Sequence, residues 1–148
     1  MSNLAREVSG VRVLNAQAAG ATNVNATHVD MQGFDGVLFI MGVGALTATQ
    51  LTALKAQGGA LANDTDQADL VGAVTPNLAD GDSNRLVFLD VYRPNQRYIR
   101  AVALRATANA VIDFVVAIQY RGLKLGQGTT GSPALDATLK SVTVVASP

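Results

Sequence analysis

Between residues 85 and 124 the chain repeats one device three times: a run of β-prone residues closed by a short polar turn. The runs 85–91, 97–105 and 111–121 are rich in Val, Ile, Leu, Phe and Tyr, side chains that suit a pleated, half-buried surface. In the first turn, 93–96, Pro94 presets φ and Asn95 tolerates turn geometry; the second, 107–110, is equally short. Three strands joined by tight turns predict an antiparallel meander. In the last run Ile112, Phe114, Val116, Ile118 and Tyr120 share one face, opposite Asp113, Val115, Ala117, Gln119 and Arg121. Ile112, Phe114, Val116 and Ile118 are therefore expected in the core.

The rest of the chain is punctuated in the same way. Val11 and Val13 mark a short strand. Residues 24–31 form another, closed by the turn 33–36, whose Asp35-Gly36 pair is a hairpin signal. Residues 37–43 are an almost unbroken apolar run, as a central strand requires. Residues 49–57 read as a strand, although Leu51, Leu54 and Lys55 also fit a helical spacing. An acidic loop or single helical turn (63–70), a short strand (70–74) and a turn-rich loop (75–84) lead into the three runs. Beyond a glycine-rich linker, residues 139–145 add one more strand, able to join a free sheet edge. Short strands at spacings of about 8–12 residues predict an all-β fold, an antiparallel β-sandwich that is jelly-roll-like, with extended N- and C-terminal segments. The expected division is an N-terminal arm (1–20), the sandwich (21–125), and a flexible linker with a C-terminal strand or arm (126–148).

A chain of 148 residues can bury about 68–70% of the surface its unfolded form exposes, enough for one domain without staples. It has no cysteine, which excludes disulfides and thiolate chemistry. The first residues lack the charged-then-apolar pattern of an export signal. The longest apolar window, 37–48, falls short of the roughly 20 residues that span a bilayer, so synthesis in the cytoplasm and no membrane partner are expected.

Eleven acidic residues balance eleven basic ones, but unevenly. Residues 25–84 hold seven Asp against Lys55 alone, and residues 85–124 hold seven bases against Asp90 and Asp113. Zero net charge does little to keep copies apart, so self-association or docking to a partner is expected. Arg93, Arg97, Arg100, Arg105 and Arg121, with Tyr92 and Tyr98, form the candidate protein interface, because the guanidinium fork pairs with carboxylates while its stem packs on apolar surface. Acidic loops pairing with basic strands inside one domain would satisfy the same charge split. With no basic tail and few interleaved aromatics, nucleic acid is not an expected partner.

No constellation points to catalysis, a metal or a cofactor. Residues 126–131 spell GxGxxG, but Ser132-Pro133 follows where a dinucleotide site needs a helix. Asp64, Asp66 and Asp69, with Asp80 and Asp82, offer oxygen ligands without the glycine and terminal glutamate of a calcium loop. His28 is the single histidine, which excludes two-histidine metal sites and reads as a half-buried strand residue. The chain is expected not to be an enzyme.

The texture of residues 92–102, Tyr92-Arg93-Pro94-Asn95-Gln96-Arg97-Tyr98-Ile99-Arg100-Ala101-Val102, and of 109–120 resembles the jelly-roll class of capsid decoration, or cement, proteins of tailed bacteriophages. That resemblance implies a structural virion protein that associates as a dimer or trimer, binds the outer capsid surface and clamps neighbouring major capsid protein subunits. Its location would then be the virion surface. A phage tail or head-completion protein is the alternative within that biology. A carbohydrate-binding jelly roll is the alternative outside it, weakened by the absence of Trp.

Overall fold

Alternation is strictest in residues 86–92, where Val87, Leu89 and Val91 are buried and Leu86, Phe88, Asp90 and Tyr92 face outward. Burial of period two is what a strand covering one side of a two-layer core requires. The computed structural model describes residues 4–120, and apart from one helical turn, α1 (Leu4–Glu7), its regular structure is all β. Strands are numbered in chain order. Sheet A sets β1 (Val8–Leu14), β10 (Ala110–Tyr120), β5 (Gly36–Leu46) and β8 (Leu86–Tyr92) side by side, with β2 (Gln17–Gly20) also paired to β10. Sheet B sets β3 (Val24–Asn25) and β4 (Val29–Asp30) against β9 (Tyr98–Ala106), followed by β6 (Leu51–Gly59) and β7 (Ala68–Val74). Every pairing is antiparallel.

Taking β1/β2 and β3/β4 as two interrupted strands leaves eight. Their order, first, eighth, third, sixth in one sheet and second, seventh, fourth, fifth in the other, is the winding of a jelly roll. Between the sheets lie Phe39, Met41, Leu54, Ile99 and Ile112, with Ala56, Ala101, Ala103 and Ala117 letting the layers approach. Burial of each of the larger side chains contributes about 1.5–3 kcal/mol.

This winding corrects the meander. β8, β9 and β10 form close to the expected positions, but β8 and β10 belong to sheet A and β9 to sheet B. The two short turns are therefore corners that carry the chain across the sandwich. Arg93 and Thr107 turn them with φ of 50° and 70°. Sheets lie about 10 Å apart, a gap that a connection of three to five residues at about 3.3 Å each can close, so turn length does not separate a corner from a hairpin. The Asp35-Gly36 turn likewise leads from sheet B to sheet A.

The burial phase of β10 also differs from the expectation. Ile112 is buried, but Phe114, Val116 and Ile118 lie on the outer face, and Val115, Ala117 and Gln119 point into the core. The cause is a β-bulge. Ile112 stands opposite Val43 and Phe114 opposite Gly42, which leaves Asp113 without a counterpart on β5 and shifts the alternation by one residue. Phe114 then lies over Gly42, and Tyr120 over Gly36, where a Cβ would meet each ring. Inside, the Gln119 amide spans the core and donates to the Asp30 carbonyl at 2.6 Å.

Residues 8–20, expected as part of an arm with one strand, supply two strands that pair with β10. The expected linker and strand at 126–148 lie outside the described residues.

Candidate functional site

The candidate interface residues divide among four places. Tyr92 ends β8 on the outer face of sheet A, and Arg93 follows in the left-handed region, a conformation that costs a non-glycine residue about 1 kcal/mol. The Arg93 amide holds that corner by donating to the Asp35 carbonyl at 2.7 Å. Its guanidinium lies 5.3 Å from the centroid of the Tyr92 ring, within cation–π range. Among the described residues no carboxylate pairs with it. The corner 93–96 stands as a ridge between two open grooves. One, of ≈ 580 Å³, runs toward β7; the other, of ≈ 600 Å³, runs toward Met31, Phe34 and Asp35.

Arg97 and Tyr98 sit beside this ridge and are engaged with their own chain. Arg97 donates to both Asp30 carboxylate oxygens, at 3.0 and 2.9 Å, and to Gln32 Oε1 at 2.7 Å. That hydrogen bonding holds the Asp30 carboxyl below its ordinary pKa and raises that of Arg97. Tyr98 meets the edge of the His28 ring at 5.2 Å, and His28 Nδ1 lies 2.8 Å from Asp64 Oδ1.

Arg100 points to the outer face of sheet B. Its Nε donates to Gln57 at 2.9 Å, Gln57 donates to Asp69 at 2.7 Å, and Lys55 closes the row on the same carboxylate. The hydrogen bonds from Gln57 and Lys55 lower the Asp69 pKa. Between the acidic and basic segments, Arg97 pairs with Asp30 and Arg85 lies 4.0 Å from Asp82, so part of the charge asymmetry is met inside the domain.

Arg105 is turned inward and is only 6% exposed. Its guanidinium donates to the carbonyls of Thr22, Ala18 and Ala110 at 2.8, 2.8 and 3.0 Å, stapling β2 and the segment after it to the start of β10. It fits because Gly20 has no side chain, and a Cβ there would lie 3.1 Å from Nη2. The sequence grouped Arg100 with Arg105, yet residues five apart on a strand face opposite sides. Arg121 lies outside the described residues.

No known family matches the chain, and no curated protein does. Among solved structures, the crystal structure of SPBc2 prophage-derived protein YomS aligns over 76% of this chain and 93% of its own, with a TM-score of 0.39 and 13% identity.

The acidic loops serve the backbone. Asp66 accepts from the amides of Ala60 and Leu61, Asp80 from Thr49, and Asp82 from Ala79. Among the described residues no three of these acids or His28 converge. What the ridge offers chemically is recognition: a cation over an exposed aromatic face, with grooves on either side. Sequence reasoning missed Leu86 and Phe88, which stand on the same edge strand as Tyr92 and are as exposed. Their signal was available, since all three occupy even positions of an alternating run.

Proposed function

We propose that this chain is a structural, non-enzymatic subunit of a tailed-phage virion, a decoration protein that binds the outer capsid surface and clamps neighbouring major capsid protein subunits. The observation that carries this reading is the corner at Tyr92 and Arg93, a cation without an acidic partner among the described residues, mounted on an exposed ring beside two grooves. Arginine and tyrosine in that setting are the residue types that anchor protein interfaces. The jelly-roll frame holds the corner between two sheets, so little ordering is left to do on docking. The sequence resemblance of residues 92–102 to decoration proteins falls on this same corner.

The test is co-sedimentation of the purified protein with capsids assembled from the major capsid protein of the same phage. Arg93→Ala and Tyr92→Ala are expected to weaken binding at least tenfold and to flatten its salt dependence. Arg97→Ala should have a smaller effect, because that guanidinium is already occupied by Asp30. Equal binding by all variants, or no binding by the intact protein, would refute the reading.

A further inference from the structure

The two sheets have four edges, and three are blunted. β3 and β4 are two residues each. β7 departs from its partner between Asp69 and Val74, with Gly72 at φ 77° in the gap. β1 carries a register shift between Arg12 and Leu14, with Arg12 exposed. Such interruptions and charges are how proteins stop edge strands from pairing with other chains. β8 has no interruption, and its one charge, Asp90, is held by a hydrogen bond within its own sheet. It is seven residues long, pairs in unbroken register with β5, and contains neither Lys nor Pro.

The hydrogen-bond parity of β8 follows from its ends. Val43 donates to the Arg85 carbonyl and Arg93 to the Asp35 carbonyl, so odd-numbered residues address β5. Backbone groups of even-numbered residues point away from it. Those of Leu86, Phe88 and Asp90 meet no partner among the described residues. The side chains along that edge are also the apolar ones, with Leu86 55%, Phe88 56% and Tyr92 49% exposed. The one acid, Asp90, accepts from the Tyr120 hydroxyl at 2.6 Å.

We propose that the β8 edge pairs with β8 of a second copy of this chain, antiparallel about a two-fold axis at Leu89, joining two A sheets into one. An antiparallel strand pair is its own two-fold mate, so the outward groups that Phe88 offers are those that Asp90 of the other copy requires. This register overlaps the whole strand, sets Leu86 beside the other copy's Tyr92, and keeps the two Asp90 carboxylates from standing opposite each other. Leu86, Phe88 and Tyr92 stand on the outer face beside this edge, so pairing covers part of their exposed area. With the paired backbone this makes an interface at the small end of the specific range, below about 1,200 Å² in total. A chain of zero net charge meets no long-range repulsion on self-pairing.

Sedimentation of the full chain, with amide hydrogen exchange at low and high protein concentration, tests this. The expected result is a dimer in which exchange at Leu86, Phe88 and Asp90 slows as concentration rises. Phe88→Lys, at an exposed position, should raise the dissociation constant at least tenfold without altering the circular-dichroism spectrum. A monomer, a dimer indifferent to Phe88→Lys, or protection independent of concentration would overturn the proposal. The last of these would mean that the edge is covered within a single copy.

Discussion

Replacing Arg105 by alanine withdraws the donor from three backbone carbonyls, those of Ala18, Thr22 and Ala110. Leaving a buried acceptor unsatisfied costs about 1–3 kcal/mol. Two of these carbonyls lie in part-buried surroundings that water can reach, and a carbonyl short of one donor is less costly than an orphaned N–H, so the low end, about 1 kcal/mol, applies to each of the three. Loss of the buried methylene stem adds about 1–2 kcal/mol. The expected destabilisation is therefore about 4–5 kcal/mol, a large share of the roughly 5–15 kcal/mol that holds a domain together. At about 2–4 °C per kcal/mol for a chain of this size, the melting temperature should fall by about 8–20 °C. Urea unfolding followed by far-ultraviolet circular dichroism measures the change, and Arg105→Met keeps most of the stem and isolates the hydrogen bonds at about 3 kcal/mol. A loss below about 1 kcal/mol in both variants would refute the staple. A variant of intact stability that no longer binds capsids would instead make Arg105 a contact residue.

Two further outcomes follow from the geometry. Ala117→Asp should prevent folding by placing an unpaired carboxylate in the core, whereas Ile118→Asp, on the outer face, should cost no more than about 2 kcal/mol; urea midpoints of the pair measure the phase of β10, and reversed ranking would remove the bulge at Asp113. Asp30 has its pKa lowered in the fold by Arg97, so its contribution is present above the unfolded value of about 3.9 and is lost as pH falls through the folded value. Asp30→Asn should therefore flatten the fall of stability below about pH 4 and change little at neutral pH, where the pair is exposed and screened.

The sandwich was legible because strand formation is written locally, in β-branched runs and turn residues. β5, β6, β8 and β9 lie close to where the pattern puts them. Pairing was less legible, since a four-residue turn with proline and asparagine serves a corner as well as a hairpin. The outer and inner faces of β10 could not be separated by alternation alone. Both are apolar in this chain, and one unpaired residue, Asp113, decides between them. In the candidate site, Arg93 and Tyr92 meet because they are adjacent in sequence at one corner. The inward path of Arg105 depended on three carbonyls brought from residues 18, 22 and 110, a convergence that only the closed fold creates.

The winding also sets an order of events at the ribosome. β5 occupies the middle of sheet A, yet its neighbours β8 and β10 begin at residues 86 and 110. At about 5–20 residues per second, this nearly unbroken apolar strand waits several seconds for its first flank and longer for its second. The register with the greatest sequence separation joins Val8 to Tyr120, about 110 residues whose loop entropy is about 4 kcal/mol. Nascent chains are thus most vulnerable to aggregation between those two moments, and slower folding at that closure, rather than low final stability, should limit the yield of soluble protein when synthesis is fast.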